Sequence, residues 1–101
     1  MRFDAGTRTR ILCDMTLDFD PAGSTVEVKV DAVWYPATWL GAAVATTGKW
    51  TQQARTVGYF AGPEAVAAGA TVLTLGRHLT QTRVTLGADV IVADSDPVDV
   101  A

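Results

Sequence analysis

The chain of 101 residues holds one histidine and one cysteine, and these are the first places to look for chemistry. His78 lies in "LGRHLT", with no serine, cysteine or carboxylate beside it at a spacing that would pair a nucleophile with a base. An ordinary turn histidine is the plainer reading. Cys13 falls on the apolar positions of "RILCDMTLDF", which predicts a buried, inert thiol and not a nucleophile. A lone cysteine forms no internal bridge, and without a paired histidine it offers no metal cage. "DSDPVD", with Asp94, Asp96 and Asp99, has the carboxylate density of a Ca²⁺ loop. It lacks both the glycine at the sharp turn and the distant bidentate glutamate, so a solvated acidic end is expected. No glycine-rich phosphate loop, HExxH, CxxC or GxSxG occurs. The reading is a protein that is not an enzyme, with no catalytic residue, cofactor or metal.

Aromatic chemistry is more concentrated. "VWYPATWLG", Val33 to Gly41, contains two of the three tryptophans, a tyrosine and a proline. On a regular strand Trp34 and Trp39 point to opposite faces. Trp34 continues the row Val26, Val28, Val30, Ala32 and is expected inside. Tyr35, Ala37 and Trp39 then face outward, unless Pro36 introduces a bulge that shifts the register. Pro36 also removes a ladder donor, which places this stretch at an edge or a bend. Three uses suit such a face: a second core layer, a protein interface, or a sugar-binding platform. Sugar platforms add polar partners for hydroxyls, and none lies close by.

These residues must be positioned by strands. "TRILCDMTLDFD" alternates, with Ile11, Cys13, Met15, Leu17 and Phe19 on one face against Arg10, Asp14, Thr16, Asp18 and Asp20. "DPAGS" carries turn chemistry in Pro21 and Gly23, and "TVEVKVDAVW" alternates again. The economical reading is a β-hairpin joining the two. "AAVATTGK" reads as a loop or short strand that turns at Gly48. "WTQQARTVGYF" reads as a strand with a bulge near its middle, and "AGPEAVAAGA" as a single helical turn. "TVLTL", "LTQTRVTL" and "DVIVA" follow, separated by Gly76 and Gly87. No segment keeps a helical period. The prediction is an all-β fold: a small antiparallel, immunoglobulin-like β-sandwich over residues 9–101, with residues 1–8 as an extended arm and a small β-barrel as the alternative.

Composition narrows the partners. A net charge of −3 gives no broad basic surface for nucleic acid, and no apolar run is long enough to span a bilayer. The first ten residues lack the apolar core of a signal peptide, and a reducing cytoplasm suits the single thiol. The arm is basic through Arg2, Arg8 and Arg10, whereas the end of the chain is acidic. The two ends could pair within one subunit or guide packing between subunits. Ten extended residues reach roughly 30 Å, enough to cross a neighbour. Arg2, Phe3, Arg8 and Arg10 of the arm, with Tyr35 and Trp39, are the residues expected at a protein interface.

"GATVLTLGRHLTQTRVTLGADVIVADSDPVDV", preceded by "GYFAGP", is similar to the C-terminal halves of small immunoglobulin-like sandwich proteins from the structural modules of tailed bacteriophages. Abundant Ala, Val, Thr, Gly, Asp and Arg and the absence of asparagine fit the GC-rich genomes of actinobacterial hosts. The resemblance covers about the last half of the chain and rests on strand texture. It implies a virion structural protein, assembled in the host cytoplasm, that contacts other virion proteins in multiple copies. No small-molecule substrate, nucleic acid or membrane is implied. A capsid- or head-associated accessory protein is the first expectation. A head–tail connector or tail protein is the second, and a carbohydrate- or cell-surface-binding module is the reading from another class.

Overall fold

Alternation in the first long segment is realised without a break. Ile11, Cys13, Met15 and Leu17 are buried, while Leu12, Asp14 and Thr16 between them are exposed. A computed structural model describes residues 1–101 and is all-β. Its strands are β1 (Arg2–Phe3), β2 (Arg8–Thr9), β3 (Leu12–Leu17), β4 (Thr25–Val30), β5 (Val33–Thr46), β6 (Lys49–Thr56), β7 (Tyr59–Ala61), β8 (Ala70–Val72), β9 (Gly76–Leu86) and β10 (Asp89–Val100). Seven form one sheet in the order β1-β10-β9-β4-β5-β6-β3, and β2-β7-β8 form a small second sheet. Strands from the two ends of the large sheet share a core: Ile11 just before β3 and Cys13 within it pack with Val28 and Val30 of β4, Val98 and Val100 of β10, and Phe60 of β7. The large sheet therefore curls back on itself, as a small sandwich or half-barrel does.

Strand β5 makes the curl. Its first half pairs with β4, from Val30↔Val33 to Val26↔Ala37, and its second half pairs with β6, beginning at Ala37↔Thr56. Pro36 sits where the strand changes partner, which suits a residue without a ladder donor. Farther along, the register shifts between Leu40 and Val44, so that Gly41 to Ala43 face a single residue, Gln52. Gly41 adopts φ 61°, which a glycine tolerates. The buried Gln52 amide donates to the Gly41 carbonyl at 2.7 Å and satisfies the bulge from inside. A second bulge lies in β10 between Ser95 and Val98, where the Thr80 hydroxyl donates to the Asp96 carbonyl at 2.9 Å.

Several expectations need correction. No hairpin joins β3 to β4. β3 pairs with β6, and β4 pairs with β5 and β9. The "DPAGS" stretch makes up the last five residues of a seven-residue connection that carries the chain between distant strands, with Pro21 buried and its carbonyl accepting from the Ser24 amide. True hairpins are tighter: two residues each at Asp31–Ala32, Thr47–Gly48 and Gly87–Ala88. The Asp31–Ala32 turn, with Asp31 at φ 56°, also resets the phase of the aromatic cluster. Val26, Val28 and Val30 point inward as expected, but Ala32 is in the turn and Trp34 lies opposite Lys29 on the outer face. "AAVATTGK" belongs mostly to β5, and the irregularity expected within "WTQQARTVGYF" is a break at Val57–Gly58. "AGPEAVAAGA" forms turns and no helix, closed by Ala65 N–H to the Gly62 carbonyl and Ala70 N–H to the Ala67 carbonyl.

The arm does not hang free. β1 lies parallel to the end of β10, with Arg2 opposite Asp99 and Phe3 opposite Val100. The Asp99 amide donates to the Met1 carbonyl, the Ala101 amide to Phe3, and the Ala5 amide to Ala101. β2 then joins β7 in the small sheet. The acidic tail is itself strand, and the two ends pair within one subunit. An arm reaching across a neighbour is therefore not what these residues form.

Replacing Gln52 with leucine keeps the apolar contacts near Met15 and leaves the Gly41 carbonyl without its donor. We expect a loss of about 1–3 kcal/mol in urea denaturation, with an unchanged m-value.

Candidate interaction surface

The open face of β10, β9, β4 and β5 is assembled by cross-strand register. Val92 lies opposite Arg83, Arg83 opposite Glu27, and Glu27 opposite Pro36. One step along, Asp94, Gln81, Lys29 and Trp34 form the next row. Arg83 connects the rows. Its Nε and Nη2 donate to the two Glu27 carboxylate oxygens at 3.1 and 2.9 Å, and its guanidinium carbon lies 4.2 Å from the centre of the Trp34 ring. The Lys29 ammonium is 5.8 Å from the same ring. A forked, stacked arginine of this kind is held in one place by its own neighbours. Around it the branched aliphatics stay in water: Leu79 is 66 % exposed, Val90 57 % and Val92 49 %.

The residues expected at an interface are distributed differently. Tyr35 packs edge-on against Phe60, ring centres 4.9 Å apart at 84°, on the rim of the core. Trp39 packs against the cluster of Met15, Leu17, Val26, Ala54 and Val84, and its indole N–H donates to Ser24 Oγ at 3.0 Å. Both face inward, the reverse of the expectation, because the Asp31–Ala32 turn moves odd-numbered residues of β5 to the core side. Arg2 is exposed on β1, while Phe3 is half-buried against the core. Arg8 and Arg10 are brought together, each guanidinium 4.4 Å from the centre of the Tyr59 ring. Arg83, Glu27, Arg55 and Tyr59 carry no mark in the sequence, and Trp34, expected inside, lies on the outer face instead. The signal for them is the pairing of strands, which alternation alone does not carry.

His78 acquires the carboxylate that sequence spacing did not provide. Its side chain is buried, Nδ1 lies 2.8 Å from Asp31 Oδ2, and Nε2 lies 2.8 Å from the Thr74 carbonyl. Both neighbours are acceptors, so both ring nitrogens serve them fully only as the imidazolium. Burial opposes that charge, but the Thr74 carbonyl and the Asp31 carboxylate together outweigh it and raise the pKa above 6.5. With both nitrogens engaged, the ring pins the β4–β5 turn to the segment before β9 and has no nitrogen left for a substrate proton. Asp99 is held by Arg77, whose Nε donates at 2.9 Å, and Asp94 accepts from Gln81 at 2.9 Å. Burial pushes the Cys13 thiol upward in pKa, against the hydroxyls of Thr82 and Ser95, which fits the inert thiol expected.

No protein-family model matches the chain, and no curated protein matches it in sequence.

The sign of the His78 effect follows from its raised pKa. Its contribution to stability is present in full below pH 6.5 and is lost as pH rises through the higher folded-state value. Thermal unfolding followed from about pH 5.5 to about pH 9 should show melting falling across that interval, and His78→Gln should flatten the profile.

Proposed function

We propose that this protein is a structural component of a bacteriophage virion, a capsid- or head-associated accessory that works through protein–protein contacts. The observation that carries the reading is the open four-strand face. Leu79 of β9 and Val90 and Val92 of β10 stay exposed on it, and a forked Arg83 lies over the Trp34 ring of β5. Arginine and tryptophan anchors that share a face with exposed aliphatics are the composition of interface centres. The strand texture of the second half of the chain, similar to that of phage sandwich proteins, points to the assembly in which such a face would be used. Adhesion then resides on this face, since the arm is occupied by the chain's own tail. Tyr35 and Trp39, the residues a sugar platform would need, are turned to the core.

A connector or tail position requires a heterologous contact that closes into a ring, whereas decoration spreads copies over the shell. Quantitative mass spectrometry of purified virions separates these outcomes. Copies on the scale of the capsid lattice support the decoration role, a single ring's complement supports the connector, and absence from virions overturns the proposal. Val92→Glu, which places a carboxylate among the exposed aliphatics on the β10 side of the face, should leave thermal unfolding within about 0.5 kcal/mol of wild type and abolish incorporation.

A further inference from the structure

Far along the chain from Trp34, three cations gather without a counter-ion. Arg8 and Arg10 lean on Tyr59, and Arg55 joins them across an open hollow of about 330 Å³ whose remaining walls include Leu12 and Leu40. The chain's ion pairs are Lys49–Asp18, Arg77–Asp99, His78–Asp31 and Arg83–Glu27, and none of the three arginines belongs to one. Arg10 Nε is shut off from solvent and has no hydrogen-bond partner. Three neighbouring guanidiniums with no carboxylate among them repel one another, and an anion seated in the hollow offsets that repulsion. Tyr59 lowers the cost by facing the two cations with its ring, but it accepts none of their in-plane N–H bonds.

We propose that this hollow is a carboxylate-binding site that receives an acidic segment of a partner protein. Planar guanidiniums match carboxylates in a two-point fork, and the aliphatic walls suit the methylenes and apolar neighbours of an aspartate or glutamate. A nucleic-acid backbone fits less well. The positive area is confined to the hollow, Asp14 follows Leu12 on the same exposed face of β3, and the chain carries −3 overall. The occupant is an acidic segment of another protein; docking of the exposed Asp89, Asp94 and Asp96 of a second copy is an outcome that the test separates from it. The site is independent of the virion assignment, because it rests on this cluster and not on the four-strand face.

The test is fluorescence anisotropy with a labelled peptide of alternating aspartate and leucine, in about 50 mM salt. Saturable binding is expected, weakened at least about tenfold by Arg10→Gln, by Arg55→Gln, and by raising salt to about 0.5 M. Lys49→Gln, a remote exposed cation, should bind as wild type does. Far-UV circular dichroism checks that Arg10→Gln still folds, and Arg55→Gln on the outer face keeps the test decisive if it does not. Equal binding by wild type and the Arg10→Gln/Arg55→Gln double variant overturns the proposal, as does tighter binding of a single-stranded oligonucleotide of matched charge. Sedimentation distinguishes the sources. A monomer that binds the peptide supports the proposal, and self-association lost in both Arg55→Gln and Asp94→Asn overturns it in favour of a second copy.

Discussion

A sheet that curls until its two ends share one core must break its own hydrogen-bond ladder, and each break exposes backbone groups to an apolar interior. Buried carbonyls and amides left unpaired cost as much as a lost hydrogen bond or more, so the curl exists only where side chains fill the gaps. This protein fills them from within. Gln52 serves the bulge of β5, and Thr80 serves the bulge of β10. Thr56 accepts from the Ile11 amide and donates to the Gly58 carbonyl where β6 ends. These polar residues are buried at core positions of otherwise alternating strands. They explain why a small apolar core is threaded with threonine and glutamine.

The outer face depends on that interior. With β4 locked between β5 and β9 in continuous register, Arg83, Glu27 and Trp34 arrive on adjacent strands on one face. Lost register would flip all three to the core side. The small sheet has a parallel role, since β2 carries Arg8 to β7, whose Tyr59 supports it. Both surfaces are thus assembled by pairing between remote segments, on a scaffold held by local repairs.

Which parts of this were legible in the residues alone follows from what alternation encodes. Period two says which residues share a face, so the inward rows of β3 and β4 and the all-β class could be read directly. It says nothing of which strand lies alongside, and the Pro21–Gly23 turn chemistry suggested a neighbour that the fold does not use. The Asp31–Ala32 reversal contains no glycine, proline or asparagine, and its one turn-forming residue, Asp31, also fits the alternation as an ordinary outward carboxylate. That single turn exchanged Trp34 with Tyr35 and Trp39. Arg8 and Arg10 were legible as a basic pair, whereas Arg55 and Tyr59 come from other strands and join them only in the folded chain.

Cys13 gives the curl an internal clock. Its thiol is buried on β3 against Thr82 and Ser95 of the facing strands, so a reagent reaches it only when the two ends of the sheet part. Alkylation at low denaturant would therefore count openings of the seam one molecule at a time. A seam that opens without global unfolding would react faster than the overall stability allows. With no second thiol in the chain, the modification has a single origin. The protein thus carries a native reporter of how tightly its sheet is closed.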